Sequence, residues 1–368
     1  MKITAAVARA SEGDYTIEEV ELEPPRPDEI LVEIRGAGFC HTDAVARSGA
    51  FGLPYPMVLG HEGSGVVVDV GHDVTKVTVG DHVAISFAYC GSCPSCADHQ
   101  PAYCHHFAPL NYSGARTDGT SPLSSGGSPI ASNFFGQSTL ATHAITRENN
   151  VVVVDRSLPL ELLGPLGCGF QTGAGAVLRS LDVQPGSSLL VLGGGPVGLA
   201  AVMAAASRHL ATVIVSEPFA ARRDLALTLG ATHAIDPSVA PLGEQVRAII
   251  ETGVAAAFDT TGSTTVLEGA IASLAPHAVL GLVGVPSDPA ATIPLGIFQC
   301  LVLGITLKGI IEGDSDPDVF IPEMLDLYER GLFPFDKLIT TYPLSQINEA
   351  LAAQASGEVV KVVLLPNG

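Results

Sequence analysis

The sequence has few basic residues and no apolar run long enough to cross a lipid bilayer. Lysine and arginine together number 18 against 38 aspartates and glutamates, which gives a formal net charge of −20. A surface of that sign repels nucleic acid and anionic membranes, so neither is expected as a partner. Apolar residues make up 47% of the chain, but none of their runs reaches the roughly 18 residues that a transmembrane helix needs.

The N-terminus lacks the features of a secretory signal. Acidic residues at Glu12, Asp14 and Glu18 follow Met1 closely, with no long apolar stretch and no cleavage site between them. We therefore predict a cytoplasmic protein. In that compartment an odd number of cysteines, here seven, favours metal ligands or free thiols over disulfides.

Length and hydrophobic pattern predict two domains. A single core usually stops growing at about 250–300 residues, and this chain has 368. Short β-rich runs dominate the first part, whereas 187–309 alternates apolar strand candidates with alanine-rich helix candidates, as parallel βαβ units do. The predicted fold class is α/β, with a doubly wound six-stranded parallel sheet beside a mostly β domain. The predicted sheet strands are 188–192, 212–216, 233–235, 256–259, 279–283 and 305–308.

The predicted boundaries place one domain over 1–170 and the doubly wound domain over 171–311. Residues 312–368 are predicted to return to the first domain, with a helix near 322–329 and a strand over 359–364. The stretch 113–129 is rich in Gly, Ser and Thr and shows neither the hydrophobic period of a helix nor that of a strand. We therefore predict a long surface loop there.

Four cysteines are spaced to hold one metal ion. Two, two and seven residues separate Cys90, Cys93, Cys96 and Cys104, which lets four thiolates converge tetrahedrally on zinc. Paired disulfides and an iron–sulfur cluster are the alternatives. A closed four-thiolate site has no position for substrate, so this zinc is predicted to be structural.

Three further motifs carry a resemblance to a known family. They are GFCHTD at 38–43, GHEGSG at 60–65 and GCGF at 167–170. Together they resemble the medium-chain zinc alcohol dehydrogenases, whose catalytic domain is GroES-like. The resemblance implies a catalytic zinc held by Cys40, His61 and Cys168, a pairing that spacing alone does not give.

The same resemblance implies roles for the neighbours of these ligands. Asp43 corresponds to the carboxylate that orients the ligand histidine, and Glu62 to an acidic neighbour of the metal. Thr42 corresponds to the hydroxyl that relays the alcohol proton. Many relatives place a histidine three residues after this hydroxyl, but here that position is Val45, which cannot accept a proton.

A glycine motif marks a dinucleotide site in the second domain. A predicted strand runs into GGGPVG at 193–198 and then into a predicted helix. Gly193 permits the turn, Gly195 lets the backbone approach the pyrophosphate, and Gly198 permits close helix packing. Glu217 ends the second strand about 20 residues later, where an acid binds the adenosine ribose, so we predict NAD as cofactor.

Further cofactor contacts are implied by family position. The resemblance makes Arg222 a ribose contact and His41 and Lys361 pyrophosphate contacts. Arg222 and its neighbour Arg223 also leave the 2′-phosphate of NADP open, since an arginine there can bind it. The remaining implied cofactor residues are Thr172, Val197 and Val283.

The substrate channel implied by the resemblance is rich in aromatics, although aromatics are only 5% of the chain. Its members are Phe51, Phe87, Phe134, Phe135 and Val285. With PAYC at 101–104 and NFFGQS at 133–138, the sequence is most similar to the bacterial aryl-alcohol (benzyl-alcohol) dehydrogenase branch. The predicted reaction is reversible oxidation of a primary aryl or allylic alcohol to its aldehyde, with hydride transfer to NAD.

Two other functions remain open at this point. A glutathione-dependent formaldehyde dehydrogenase is favoured by Arg116 and the polar run at 118–121, but 105–108 lacks the basic residue expected for a thiol-adduct carboxylate. An NAD-binding zinc-thiolate redox sensor is the second alternative. The resemblance also implies a homodimer or homotetramer, and Cys300 is predicted to be a free thiol.

Overall fold

The computed structural model describes residues 1–288, 290–293 and 295–367 and divides into two compact units. The first unit comprises Met1–Cys168, Asp316–Pro322 and Asp336–Gly368, and the second comprises Gly169–Ser315 and Glu323–Phe335. The sequence predicts that the whole of 312–368 belongs to the first domain, whereas residues 312–315 and 323–335 belong to the second unit.

The strands and helices are numbered in chain order. The strands are β1 (Lys2–Val7), β2 (Thr16–Leu22), β3 (Glu29–Gly38), β4 (Glu62–Val70), β5 (His82–Ile85), β6 (Leu123–Ser125), β7 (Ser128–Ile130), β8 (His143–Arg147), β9 (Val151–Val153), β10 (Ser188–Leu192), β11 (Thr212–Ser216), β12 (His233–Ile235), β13 (Val254–Asp259), β14 (Leu274–Leu282), β15 (Thr306–Gly309), β16 (Ile339–Pro343) and β17 (Lys361–Leu365). The helices are α1 (His41–Arg47), α2 (Pro94–Ala97), α3 (Phe107–Asn111), α4 (Gly169–Gly175), α5 (Pro196–Ser207), α6 (Ala220–Thr228), α7 (Leu242–Ile249), α8 (Thr264–Ala272), α9 (Ile297–Leu303), α10 (Pro317–Glu329) and α11 (Ile347–Ser356).

The first unit is built from two β-sheets. One is four-stranded and antiparallel in the order β1-β2-β6-β7, and the other runs β16-β17-β3-β4-β5-β9 with β8 also paired to β3. In β2 the side chains alternate, with Val20 and Leu22 buried and Glu19 and Glu21 exposed, as expected of a strand with one wet face. The predicted mostly β domain is confirmed.

One prediction for the first unit is wrong. Within the stretch 113–129, predicted to be loop, β6 and β7 form a hairpin that extends the four-stranded sheet. The two residues between the strands are Gly126 and Gly127, both with positive φ. A Gly-Gly pair suits the tight turn of a two-residue hairpin loop, so the sequence did contain a local signal for the hairpin. The strands on either side of this pair are only three residues long.

The second unit contains one six-stranded sheet in the order β12-β11-β10-β13-β14-β15, with every neighbouring pair parallel. All six strands predicted from the sequence are present. The order is that of dinucleotide-binding folds, whose ligands bind at the carboxyl ends of the strands. Leu189, Leu190, Val191 and Leu192 of the central β10 are fully buried because helices cover both faces of such a sheet.

The helix predicted near 322–329 is part of α10, which begins earlier, at Pro317, and contains Pro322 within it. The final strand predicted over 359–364 is β17. Among the helices of the described residues, none combines the length and apolar character needed to cross a membrane.

Candidate functional site

The three ligands implied by the sequence resemblance lie together in the first unit. One ligand atom each from Cys40, His61, Glu62 and Cys168 falls within 4.8 Å of the others. Cys40 precedes α1, His61 immediately precedes β4, Glu62 is the first residue of β4, and Cys168 precedes α4 more than 100 residues later. The fold therefore brings together residues that no sequence spacing could pair.

Asp43 contacts two of the predicted zinc ligands, Cys40 and His61. Its Oδ2 accepts a hydrogen bond from the backbone N–H of Cys40 (3.0 Å), which fixes the first turn of α1. Its Oδ1 lies 3.1 Å from Nδ1 of His61 and also accepts from the N–H of Gly60. With the Nδ1 proton directed at Asp43, Nε2 of His61 keeps its lone pair for a metal ion.

The donor set fits zinc. Nε2 of His61 is buried and has no hydrogen-bond partner in the described part of the chain, and a buried polar atom rarely lacks a partner without a reason. The pKa of the Cys40 thiol is held well below its usual value, mainly by a hydrogen bond from Cys168, against the opposing effect of burial. Two sulfurs and an imidazole are the ligands of catalytic zinc sites that keep one position open.

Glu62 forms an ion pair with Lys361, a residue for which the sequence resemblance implies a pyrophosphate contact. Lys361 is fully buried, forms an ion pair with Glu62 and donates to the carbonyl oxygen of Phe39 (3.0 Å). Burial raises the pKa of the Glu62 carboxyl even though Lys361 opposes that shift. The contact between Lys361 and a cofactor phosphate stays a prediction, because the observed partners of its ammonium are Glu62 and Phe39.

The four clustered cysteines form a second group in the same unit. Their Sγ atoms lie within 4.8 Å of one another, with Cys90–Cys96 at 3.9 Å, Cys93–Cys96 at 3.5 Å and Cys93–Cys104 at 4.0 Å. Tetrahedral zinc with bonds of about 2.3 Å requires sulfurs about 3.8 Å apart. All seven cysteines, each within the described residues, are free of disulfides. The geometry therefore supports zinc here.

Backbone N–H groups support these sulfurs as thiolates. Sγ of Cys90 accepts from the N–H of Cys93 (3.3 Å), and Sγ of Cys104 accepts from the N–H of Cys90 (3.3 Å). Such donors favour the charged form of the sulfur.

Aromatic rings surround His61. Phe135 stacks on the imidazole with ring centres 4.4 Å apart, and Phe134 meets it edge-on at 5.5 Å. Phe51 lies 6.4 Å from Phe134 and stacks on Tyr112 at 4.8 Å. These rings form an apolar wall beside the candidate metal centre.

Two other predicted pocket members have different surroundings. Phe87 contacts Tyr89 and Phe107 rather than His61, and Val285 belongs to the second unit, where its side chain is exposed. Phe107 and Tyr112, which were not predicted from the sequence, also contact the ring of Phe135. Their position just after the last cysteine of the zinc cluster was the available signal.

The glycine turn of the second unit has the predicted shape. Gly193 has a φ of 98°, which favours glycine, and a side chain at Gly198 would meet the carbonyl oxygen of Gly193 at 1.9 Å. A side chain at Gly195 would meet open space at the start of α5. That space is where a helix N-terminus can receive a phosphate.

Glu217 lies beside this turn. Its Oε2 accepts from the N–H of Gly194 (2.7 Å) and its Oε1 from the N–H of Phe219 (2.9 Å). Arg223 donates to the carbonyl oxygens of Glu217 and Pro218 and pairs with Asp236. Arg222 instead lies over the ring of Phe219 at 5.1 Å.

The remaining predicted residues lie on several elements. Thr42 is half-buried on α1 with Oγ1 3.7 Å from Sγ of Cys40, and His41 beside it is exposed. In the second unit Thr172 is on α4, Val197 is on α5, and Val283 donates its N–H to the carbonyl oxygen of Asp259 at the end of β13.

Comparison with known proteins identifies two families along the chain. Residues 26–156 match the alcohol dehydrogenase GroES-like domain, and residues 196–330 match the zinc-binding dehydrogenase family. The geraniol dehydrogenase of Castellaniella defragrans is 49% identical over 363 residues, covering 98% of this chain and 97% of that protein.

Two solved structures are similar over nearly their whole length. An alcohol dehydrogenase zinc-binding domain protein from Burkholderia ambifaria has a TM-score of 0.97 at 44% identity, with both chains covered completely. The benzyl alcohol dehydrogenase of Acinetobacter calcoaceticus has a TM-score of 0.96 at 39% identity, with 99% of each chain covered. Together with the two metal clusters, these matches show that the chain belongs to the medium-chain zinc-dependent alcohol dehydrogenase family.

Proposed function

We propose that this alcohol dehydrogenase oxidises primary allylic or aryl alcohols reversibly to aldehydes, with NAD as hydride acceptor. The observation that carries the substrate class is the pair of rings, Phe134 and Phe135, packed against the ligand His61. Flat unsaturated substrates gain from offset or edge-on contact with such rings, by about 0.5–1.5 kcal/mol beyond area burial. The names of two relatives, geraniol and benzyl alcohol dehydrogenase, support the same class.

The chemistry follows from the donor groups in the first unit. When bound by Cys40, His61 and Cys168, zinc supplies a Lewis acid that lowers the pKa of an alcohol hydroxyl. Thr42 can accept the released proton at Oγ1 and donate its own, since a hydroxyl does both. Asp43 keeps His61 in one tautomer and one orientation through the 3.1 Å contact. A bound nicotinamide would supply the hydride acceptor.

For the cofactor, we propose NAD rather than NADP. Glu217 is fixed beside the glycine turn by two backbone N–H groups, so its carboxylate can bind ribose hydroxyls and repel a phosphate there. Of the two arginines that leave the 2′-phosphate of NADP open, Arg223 is engaged by Asp236 and two carbonyl oxygens, and Arg222 lies over the ring of Phe219. The second unit is accordingly proposed as the nucleotide domain.

The structure gives no support to the glutathione alternative. Its favouring residue, Arg116, is buried with its guanidinium bonded to both carboxylate oxygens of Glu29 and to Glu23. An arginine held in this way by two acids has little capacity left for the carboxylate of a thiol adduct.

We also propose a cytoplasmic homodimer or homotetramer. In the described part of the chain β15 is paired only with β14, so it forms an edge of the six-stranded sheet. Just before it, Ile297, Phe298, Leu301 and Val302 of α9 are between 63% and 81% exposed. An apolar helix beside a free strand edge fits a second copy of this chain, because the same strand and helix can pair with themselves across a two-fold axis.

An alcohol panel with both cofactors tests the enzymatic proposal. We expect benzyl or geranyl-type alcohols with NAD to give the highest kcat/KM, and aldehyde reduction to rank substrates in the same order. Ethanol or a glutathione adduct as best substrate would contradict the substrate class, and equal kcat/KM with NADP would contradict the cofactor assignment. Absence of turnover with every alcohol in a zinc-loaded protein would favour the redox sensor instead.

A further inference from the structure

A chain of buried hydrogen bonds connects the backbone at two zinc ligands of the first unit. Oγ of Ser86 donates to the carbonyl oxygen of Gly167 (2.7 Å), the residue just before Cys168. The carbonyl oxygen of Ser86 accepts from Nε2 of Gln137 (2.9 Å), and the same nitrogen donates to the carbonyl oxygen of His61 (3.0 Å). These contacts link Gly167 to His61 through two side chains.

The amide of Gln137 is well used in this arrangement. Besides the two bonds from Nε2, its Oε1 accepts from the backbone N–H of Gly63 (3.2 Å). Ser86 and Gln137 are both buried, and a buried amide with its donors and acceptor paired is rigid because losing any partner exposes a desolvation cost of about 1–3 kcal/mol.

A second amide ties the same point to the aromatic wall. Nδ2 of Asn150 donates to the carbonyl oxygens of Ser86 (3.1 Å) and Phe135 (3.0 Å). The carbonyl oxygen of Ser86 therefore accepts hydrogen bonds from the side-chain amides of both Gln137 and Asn150. Through it, the ring that stacks on His61 and the backbone of both ligands are joined in one network.

The segment that carries Gln137 is held in an unfavourable conformation. Asn133, Phe135 and Ser138 have positive φ angles of 66°, 52° and 60°. Non-glycine residues in this region cost about 1–3 kcal/mol each and persist only where their surroundings enforce them. Such strain clusters at functional sites, and Gln137, which contacts His61 and Ser86, lies within this segment.

We propose that Ser86 and Gln137 are positioning residues for the catalytic zinc, and we call their connected contacts the Ser86–Gln137 bridge. The bridge keeps His61 and the loop that ends at Cys168 at a fixed separation, so the ligands are in place before the ion arrives. Neither residue is a zinc ligand. The inference rests on zinc at Cys40, His61 and Cys168, and it is independent of the aryl or allylic substrate class.

Two single variants break the bridge at different points. Ser86→Ala removes the hydroxyl that holds Gly167. Gln137→Glu keeps an oxygen for Gly63 but removes the donors to His61 and Ser86. Groups that support metal ligands typically contribute 10–100-fold in affinity, so we expect the catalytic zinc to bind about 10–100-fold more weakly in both variants, by chelator competition on the full-length protein.

A spectroscopic readout separates geometry from stability. With Co²⁺ exchanged into the catalytic site, the visible absorption bands should shift in both variants, because they report the angles between ligands. The matched control is Asn111→Leu. Asn111 is also a buried amide with three backbone bonds, to the N–H and carbonyl oxygen of Ala88 and the carbonyl oxygen of Phe107, but it touches no ligand of the catalytic site.

The outcomes distinguish this inference from the proposed function. Wild-type zinc affinity and cobalt spectra in both Ser86→Ala and Gln137→Glu would overturn the bridge and leave the enzyme assignment intact. An equal loss of affinity in Asn111→Leu would also overturn it, since the effect would then be general destabilisation. A wild-type protein with no zinc at Cys40, His61 and Cys168 would overturn both the zinc chemistry and the bridge.

Discussion

The hydroxyl of Thr42 lies 3.7 Å from Sγ of Cys40, on the first turn of the helix that this ligand precedes. If this hydroxyl relays the proton, Thr42→Val should lower kcat for alcohol oxidation by about 10²–10⁴-fold, the usual contribution of general acid–base groups. Thr42→Ser should keep most activity because it retains an O–H that donates and accepts. Steady-state kinetics with zinc content and NAD affinity measured in parallel would check this.

One result at position 42 would contradict the proton relay. An intact, zinc-loaded Thr42→Val protein with an unchanged kcat would rule out the hydroxyl relay. Val45→His probes another point, since it can accelerate turnover only where onward transfer of the proton limits the rate.

The buried pair of Lys361 and Glu62 gives a second prediction at this scale. Removing one partner leaves an uncompensated buried charge, so Lys361→Met should reduce the stability of the first unit by about 3–5 kcal/mol. The double variant Lys361→Met/Glu62→Gln should recover much of that loss because both charges are gone. Thermal unfolding of the zinc-loaded proteins would measure the two effects, and a double variant no more stable than Lys361→Met would contradict the pairing.

At the scale of elements, the cysteine-rich lobe around α2 depends on its metal. Cys93→Ser should bind one zinc fewer per chain and unfold at a lower temperature, because a structural site contributes its binding energy to folding. Catalytic zinc should be retained. Metal analysis with thermal unfolding would measure both, and Cys300→Ser is the matched control, since Cys300 is a free thiol on α9. Equal zinc content and stability in Cys93→Ser would contradict a structural site.

Strands and helices with a clear hydrophobic pattern could be predicted from the sequence, and those with a weak pattern could not. Most of the six parallel strands were recognisable as apolar runs bounded by turn residues, and the short β12 and β15 from their place in the alternation of strands and helices. The hairpin of β6 and β7 was missed because its three-residue strands, LSS and SPI, are largely polar and lie within a stretch rich in Gly and Ser. The Gly-Gly turn between them was the only local signal.

The site shows the same limit for a different reason. The sequence resemblance identified Cys40, His61 and Cys168, and the structure brings them together. It did not identify the partners of Lys361 or Gln137, since these contacts join residues far apart in sequence and depend on how strands pack. Buried polar partners of this kind leave no periodic mark in the sequence.

At the scale of the whole molecule, the apolar face of α9 beside the edge strand β15 predicts self-association. Specific dimers bury about 1,200–2,000 Å², and charge at the centre of such an interface is costly because it must be desolvated. Phe298, 79% exposed in the isolated chain, is therefore the position to change. If the wild-type protein is dimeric as proposed, Phe298→Glu should convert it to monomer at micromolar concentration, as measured by light scattering or sedimentation.

Val239→Glu provides the control for this experiment, because Val239 is 77% exposed in the same unit but lies away from α9 and β15 in the sequence. It adds the same charge and should leave the dimer intact, which separates a local interface from general repulsion in a chain that already carries −20. A tetramer that Phe298→Glu reduces to dimers would mean that α9 forms one of two interfaces. A wild-type protein that is monomeric at every concentration, or a Phe298→Glu variant that remains dimeric, would show that this face does not hold two copies together.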